Sequence, residues 1–471
     1  MKAKPNNLAH NRASVKGFIM VLILSSLLAA ITVDMVNPVL GLIGDSLHAA
    51  KAQVSWVVSG ITLLLAIGIP LYGRMSDFFE LRKLFAFAAS VLALGSLICA
   101  LAPSLPLLVF GRMVQGAGMS AIPVLSVVSI SKVFAEGERG AALGVVMGCI
   151  GIGTAFGPIF GGFVGQAWGW PALFWIAFVL SLLIVVGAVC TLPVIKPEIE
   201  QEHGQRMDWI GGVLLGLTTG LFLFGLTQGE SVGFTSLASL GSLFGAVCAL
   251  VAFIWRIRTA SDPFVPAILF KNRPYIHAVA VAYLSAFAYF AVLVFVPLLL
   301  VEANGLTPGE AGVTLLPGGA AVALLSPWVG RISDRAGSKP LVIAGLIVMG
   351  ISTLFLSIAS GASALLVSLG VIGVGIAFAF INSPANSAAV GVLEKAQVGA
   401  GMGLFQGALY FGAGSGAGII GAFLHARSDA SHSLNPFYKF EAIGYSDSFL
   451  AAAIAVIFAL IASFGLKSDR K

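Results

Sequence analysis

The sequence predicts an all-α integral membrane protein of fourteen transmembrane helices, built as two six-helix bundles with an inserted pair between them. Three observations carry that prediction. First, 58% of the 471 residues are hydrophobic, only 10% are charged and the mean hydropathy is +1.00, far outside the range of soluble globular chains. Second, fourteen apolar stretches of about 18 residues or more recur from Gly17 to Leu466, each long enough to cross a hydrocarbon core of roughly 30 Å. Third, a charged hairpin occurs twice: Gly73-Arg74-Met75-Ser76-Asp77 returns as Gly330-Arg331-Ile332-Ser333-Asp334, each time where one apolar stretch ends and the next begins. Counting back from the two copies aligns the first and second spans with the ninth and tenth, so the seventh and eighth are an insertion. The expected divisions are an N-terminal bundle at 1–195, linkers with the two extra helices at 196–274, and a C-terminal bundle at 275–471.

The repeated hairpin resembles the cytoplasmic loop motif of the major facilitator superfamily, Gly-x-x-x-Asp followed by bases and a glycine. The second copy fits it well, whereas the first carries Phe78 and Glu80 where the motif has a base and a glycine. A basic hairpin obeying topology rules would explain the arginines but not the repeated Gly and Ser-Asp spacing. The resemblance implies the major facilitator fold, with Asp77, Arg82, Asp334 and Arg335 in charge clusters that hold the cytoplasmic face shut, a gating role.

Taken in order, the first stretch, 17–43, follows Lys2, Lys4, Arg12 and Lys16 and is too long for a cleaved signal peptide. With the N-terminus inside, all of the 26 Lys and Arg except Lys51, Arg112, Arg427 and Lys439 fall in cytoplasmic segments, the asymmetry that sets topology. Both termini are then expected on the cytoplasmic side of the cell membrane. The same spread accounts for the net charge of +6 without a nucleic-acid partner, since it forms no continuous stripe. Within the first span stands Asp34, in Thr32-Val33-Asp34-Met35-Val36-Asn37-Pro38. A carboxylate near a span centre costs roughly 2.5 to 3.5 kcal/mol on insertion scales, so it marks a pathway or proton site, or else a charge that pairs helices.

The second span opens with Trp56, an interfacial anchor. Arg112, in the fourth span, is the candidate partner of Asp34; counted from the span ends, their depths differ by about 5 Å. The Arg112-x-x-Gln115-Gly116-x-Gly118 pattern resembles the superfamily's fourth-helix motif, associated with proton coupling in drug exporters, and a purely structural ion pair is the alternative. In the fifth span Gly153, Gly157, Gly161 and Gly165 fall four apart, leaving one helix face bare for close backbone approach, and Pro158 predicts a bend. Gly153-x-x-x-Gly157-Pro158-x-x-Gly161-Gly162 resembles the antiporter motif of proton-coupled exporters. Beyond the sixth span, 193–208 reads as a solvated linker with Lys196, Glu198, Glu200, Glu202 and Arg206, and Asp208 suits the positive end of the next helix. A second basic linker follows at 256–274.

The fourteen-span count resembles the drug:H+ antiporter branch of that length. Within it, Asp208-x-x-Gly211, Asn272, Pro317-Gly318, Gly401-Met402 and the long outer segment 426–445 resemble the Gram-positive class K and L tetracycline efflux proteins. The chain departs from those carriers at Ala155 and 412–418, where they place acids. The resemblance implies export coupled to protons. On this reading the carboxylate of Asp34 takes either a proton or a cationic substrate, with Arg112 tuning it. The expected partners are a small amphipathic, neutral or monocationic substrate, protons and the lipid bilayer, and the expected unit is a monomer. Candidate substrate contacts are Asn37, Gln115, Tyr283, Tyr289, Asn382, Asn386, Gln406 and Tyr410, polar groups in otherwise apolar spans; each could instead be a helix-packing hydrogen bond. Glu302 and Glu310 lie in an outer loop, as solvated charges or a proton entry.

Two alternatives stand beside export: an importer or symporter of a small metabolite with the same fold, and a tetracycline exporter that also exchanges monovalent cations. An enzyme is not expected, because no Gly-x-Ser-x-Gly, paired intramembrane aspartates or His-Glu-x-x-His motif occurs. Cys99, Cys149, Cys190 and Cys248 fall in separate spans without CxxC spacing, and the six histidines show no ligand pattern, so neither metal nor cofactor is expected.

Overall fold

A computed structural model describes residues 12–49, 51–54, 56–135, 137–195, 207–427 and 430–467. The linker charges Lys196, Glu198, Glu200, Glu202 and Arg206, and the N-terminal Lys2 and Lys4, lie outside them. Among the described residues all regular structure is helical, and fourteen helical segments are long and apolar enough to cross a bilayer.

The first span is two helices, α1 (Arg12–Asp34) and α2 (Leu40–Ser46), joined by a 3-10 turn at Asn37–Val39. The break follows from Pro38, which has no N–H to offer the carbonyl of Asp34 four residues back. The ladder ends with Met35 N–H donating to Ile31 (2.8 Å) and tightens to Val39 N–H donating to Val36 (3.0 Å). After the short α3 (Lys51–Val54) come α4 (Trp56–Phe78) and α5 (Leu81–Ala100). The expected first hairpin, Gly73 to Asp77, is instead the helical end of α4, and Gly330 to Asp334 likewise lie within the helix Leu316–Ala336, because nothing in either motif breaks the backbone ladder before the turn. The fourth span is also divided, into α6 (Leu105–Met119) and α7 (Ala121–Val133). Pro123 is the cause here, since it denies the Met119 carbonyl its donor. The fifth and sixth spans are α8 (Arg139–Trp168), which continues through Pro158, and α9 (Trp170–Thr191).

The inserted pair is α10 (Trp209–Val232) and α11 (Leu237–Thr259). Asp208 caps α10 by accepting from Gly211 N–H at 3.1 Å, and it ion-pairs with Arg256 near the end of α11 at 3.1 Å, satisfying free N–H groups and closing the pair. The remaining helices are α12 (Arg273–Glu302), the short α13 (Pro308–Val313), α14 (Leu316–Ala336), α15 (Ser338–Ala359), α16 (Ala364–Gly391), α17 (Val398–Ala426) and α18 (Ile443–Ser463). Asn272 caps α12 through Tyr275 N–H (3.2 Å) and donates to the Val392 carbonyl (2.8 Å), so the second linker is pinned to the end of α16.

Near the N-terminus α1 packs on α8 and α9, and α5 on α6 and α9; in the C-terminal part α12 packs on α16, α17 and α18, and α15 on α16 and α18. Two seams join these groups, α8 against α14 and α4 against α17, and α10 touches both α4 and α17. Glycine makes the seams close. A Cβ on Gly73 would collide with the backbone of Gly399 and Gly403, and one on Gly330 with the carbonyl of Gly140. Large apolar side chains such as Phe163, Phe244 and Leu324 are exposed, as suits helices whose backbone groups are satisfied internally and whose surroundings are hydrocarbon.

Candidate functional site

Asp34 is the last residue of α1, half-buried at the break of the first span. The glycine face of α8 lies along that break. A Cβ on Gly153 would strike Ala30, one on Gly161 the Met35 backbone and one on Gly165 the Val39 side chain, while one on Gly157 would stand 3.0 Å from the Asp34 Cβ. Gly162 faces Pro38. The close approach expected of these glycines is therefore to the first span at the level of its carboxylate. Thr154, on the next turn of α8, flanks the Asp34 carboxyl.

Arg112 is fully buried, yet it does not ion-pair with Asp34: no such contact within 4 Å occurs among the described residues. Its Nε donates to the Val57 carbonyl of α4 (2.9 Å), and its Nη1 donates to the Thr32 carbonyl (3.1 Å) and to Gln115 Oε1 (2.7 Å). The physical reason is the break in the first span, which leaves the Thr32 carbonyl free for an outside donor. Gln115 in turn donates to Ser96 (2.8 Å) and Ser96 to the Leu92 carbonyl (2.8 Å), so a buried chain of hydrogen bonds ties α6 to α1, α4 and α5. Arg112 Nη2 has no hydrogen-bond partner among the described residues, and the charges of Asp34 and Arg112 still act on each other.

A small cavity of about 20 Å³ lies between α8, α12, α16 and α17, lined among others by Thr154, Tyr289, Phe378, Asn382, Gln406 and Tyr410. It has room for about one water. Tyr289 stacks flat on Phe378, with centroids 3.8 Å apart and planes at 10°. Behind this wall Gln406 donates to Asn386 Oδ1 (3.1 Å), Asn386 to the Asn382 Oδ1 (3.1 Å), and Asn382 approaches Met147 Sδ at 3.5 Å across the seam. Thr154 belongs both to this lining and to the surroundings of Asp34, and the Asp34 charge reaches Tyr289 and Tyr410. Of the eight sequence candidates, Tyr289, Asn382, Gln406 and Tyr410 line the cavity and Asn386 supports them. The other three lie elsewhere: Gln115 is engaged by Arg112, Tyr283 meets Ser415 (3.1 Å) and stacks on Phe411, and Asn37 is exposed on the 3-10 turn. Sequence reasoning passed over Thr154, Phe378 and Met147. Phe378 had a usable signal, since Phe378, Asn382 and Asn386 are spaced four apart on one helix face.

The hairpin aspartates seal one end of the molecule in a reciprocal way. Asp77, fully buried, accepts from Ala400 N–H (2.9 Å) in the first turn of α17, and its Oδ2 also meets Arg74 Nη1 (3.3 Å). Asp334 accepts from Gly140 N–H (2.8 Å) and Ala141 N–H (2.9 Å) in the first turn of α8. Each carboxylate thus reaches across a seam to a helix start, where unpaired N–H groups and the positive end of the helix favour it. Two gating candidates are not part of these contacts. Arg82 and the exposed Arg335 make no ion pair among the described residues. Arg74 is the base at Asp77, because three residues back on α4 it shares a helix face with the carboxylate.

Three further acids have partners of their own. Glu302 accepts from the Tyr445 hydroxyl (2.5 Å), and Glu310 closes a capping box with Thr307. Asp447, buried at the start of α18, was missed in the sequence. It binds Arg427 (2.6 Å), the Ser433 hydroxyl (2.8 Å) and Leu434 N–H (2.8 Å), and clamps the segment before α18.

The family model described as Major Facilitator Superfamily matches residues 22–418. Multidrug resistance protein Stp of Mycobacterium tuberculosis (strain CDC 1551 / Oshkosh) is 29% identical over 399 residues, 84% of this chain and 73% of that protein. The tetracenomycin C resistance and export protein of Streptomyces glaucescens is 29% identical over 444 residues, covering 90% and 79%. Among solved structures, the human organic anion transporter MFSD10 (TETRAN) superposes with a TM-score of 0.68 at 14% identity, covering 95% of this chain and 99% of that one. At that identity the likeness speaks for the fold alone.

Proposed function

The chain belongs to the Major Facilitator Superfamily, and on that premise we propose that it exports amphipathic, neutral or monocationic compounds across the cell membrane in exchange for protons. The hairpin end is assigned to the cytoplasm, and the division into bundles at 1–195 and 275–471, with the extra pair between, belongs to the same reading. Relatives named for multidrug resistance and for tetracenomycin C resistance and export support the substrate class. The observation that carries the coupling is the position of Asp34: it is the carboxylate at the broken first span, set against Gly157 and flanked by Thr154, which also lines the cavity between the seams.

In this mechanism the carboxylate holds either a proton or a cationic substrate. Proton arrival neutralises it and releases the cation; deprotonation restores the charge that attracts the next one. Arg112 sets the balance from a fixed position, because its hydrogen bonds to the Thr32 and Val57 carbonyls hold a positive charge nearby without neutralising the acid as a direct pair would. The cavity lining is aromatic and carboxamide-bearing, side chains that would contact a flat amphipathic solute once the seams part and the cavity, now the size of one water, widens. With a single acid beside the path, dications are poor substrates.

The test is uptake of monocationic and dicationic dyes into inverted membrane vesicles energised by an acid interior, with Asp34→Asn in parallel. Acid-driven uptake of the monocation that Asp34→Asn abolishes or makes independent of pH is the expected result. Unchanged pH dependence in Asp34→Asn refutes the coupling scheme, and acid-driven movement out of the vesicles assigns the chain to import.

A further inference from the structure

We propose a second ligand site, away from the transport cavity, at the seam where the inserted helix α10 wedges between α4 and α17, and that it takes a neutral amphipath bearing a hydrogen-bond donor. The site is a cavity of about 160 Å³, against the about 10–15 Å³ that one water needs. It lies toward the end opposite the hairpins: Trp56, Ser59 and Thr62 come from the first turns of α4, Phe224 and Thr227 from the last turns of α10, and Gly414 from the second half of α17. Three helices meet here without filling the space.

The lining dictates the chemistry. Among the described residues no ionisable side chain borders the cavity, so a charged guest would lose its hydration with nothing from them in return. Trp56 and Phe224 form one wall, with ring centroids 5.5 Å apart and planes at 35°, an apolar surface of the kind that holds a chain or ring. The hydroxyl protons of Thr62 and Thr227 are engaged within their own helices, donating to the Val58 carbonyl (3.1 Å) and the Leu223 carbonyl (3.0 Å). What they turn outward is lone pairs, so the complementary guest donates a hydrogen bond. Water is a poor occupant, since it needs two to four polar partners and the walls are mainly apolar. Because the walls come from α4, α17 and the inserted α10, a guest here favours the arrangement in which these three helices stand as they do now.

The experiment uses the full-length protein in lipid nanodiscs and dodecanol carrying a terminal bromine as the probe. Bromine quenches tryptophan on contact, and the difference between the wild-type protein and Trp56→Phe isolates the Trp56 signal. The expected result is saturable quenching by the brominated alcohol, a loss of affinity of at least about fivefold in Thr62→Val/Thr227→Val, the worth of one ordinary hydrogen bond, and no saturation with bromododecane, which lacks the hydroxyl. Thr227→Phe, which fills the space, abolishes saturation, while the double valine variant keeps the volume and guards against a misfolded filler. Equal affinity for the two probes, or saturation surviving in Thr227→Phe, overturns the proposal. Quenching by phosphatidylcholine with brominated chains that the alcohol does not relieve assigns the cavity to a lipid chain and also overturns it.

Discussion

Removing the Asp334 carboxylate should open the hairpin end, and the structure sets the size of the effect. Both oxygens of Asp334 are engaged, one by Gly140 N–H at 2.8 Å and one by Ala141 N–H at 2.9 Å. A hydrogen bond to a charged group contributes about 1.5–3 kcal/mol, but Asp334 is half-buried and water replaces part of that when the seam parts. We therefore take about 2–3 kcal/mol for the pair, which changes the ratio of opened to sealed molecules by about 30- to 150-fold, at about 1.4 kcal/mol per factor of ten. The readout is the alkylation rate of a cysteine placed at Ser326, which is buried against Gly144 a few turns inside the seam, in protein whose four native cysteines have been replaced. While opening is fast relative to alkylation, the rate follows the opened population. Asp334→Ala should accelerate alkylation by the factor above, and Asp334→Asn, which keeps one acceptor oxygen, by about tenfold. A change below about twofold in Asp334→Ala would mean that these contacts do not hold the seal.

Gly161→Ala should destabilise the protein by about 1–3 kcal/mol, because the added methyl overlaps the Met35 backbone; a thermal shift in detergent measures it, and an unchanged midpoint contradicts the packing of α8 on the broken span. Tyr289→Ala should weaken binding of a flat aromatic dye to the purified protein by about two- to tenfold, from the loss of an aromatic contact of about 0.5–1.5 kcal/mol, whereas Tyr289→Phe, which keeps the stack on Phe378, should bind as the wild type does. Arg427→Ala should lower stability by about 3 kcal/mol or more, since it leaves the buried Asp447 carboxylate without its cation; equal dye specificity in the surviving folded protein checks that the clamp is structural. Arg112→Lys should fail to restore the wild-type pH profile of dye uptake, because an ammonium cannot reach the Val57 and Thr32 carbonyls and Gln115 together as the planar guanidinium does.

Much of the plan was readable from residue order because it depends on short-range chemistry. Apolar run length gives spans, the repeated Gly and Ser-Asp spacing gives two related helix ends, and glycines four apart on α8 announce a close neighbour. What was not readable depends on partners remote in the chain. Asp77 meets Ala400 and Asp334 meets Gly140, and no local pattern announces which helix start a carboxylate will cap. Arg112 is the instructive miss. Spacing placed a base at the depth of Asp34, but the guanidinium turned to a carbonyl that only the break beside Pro38 makes available. Asp447 was overlooked because it stands at the head of an apolar stretch, where its partners Arg427 and Ser433 come from the irregular segment before it.

The paired caps at the hairpin end carry a consequence for how the molecule can move. The two latches sit on different edges of the contact between the halves, and each is made of an acid from one half and a helix tip from the other. Releasing both would free the two helix groups to part, but releasing only one would leave the other as a pivot, so the gap would widen like a jaw along a single edge. A guest entering at the hairpin end would then be steered by whichever latch yields first, and the two acids, alike in sequence, would differ in the route that each one governs.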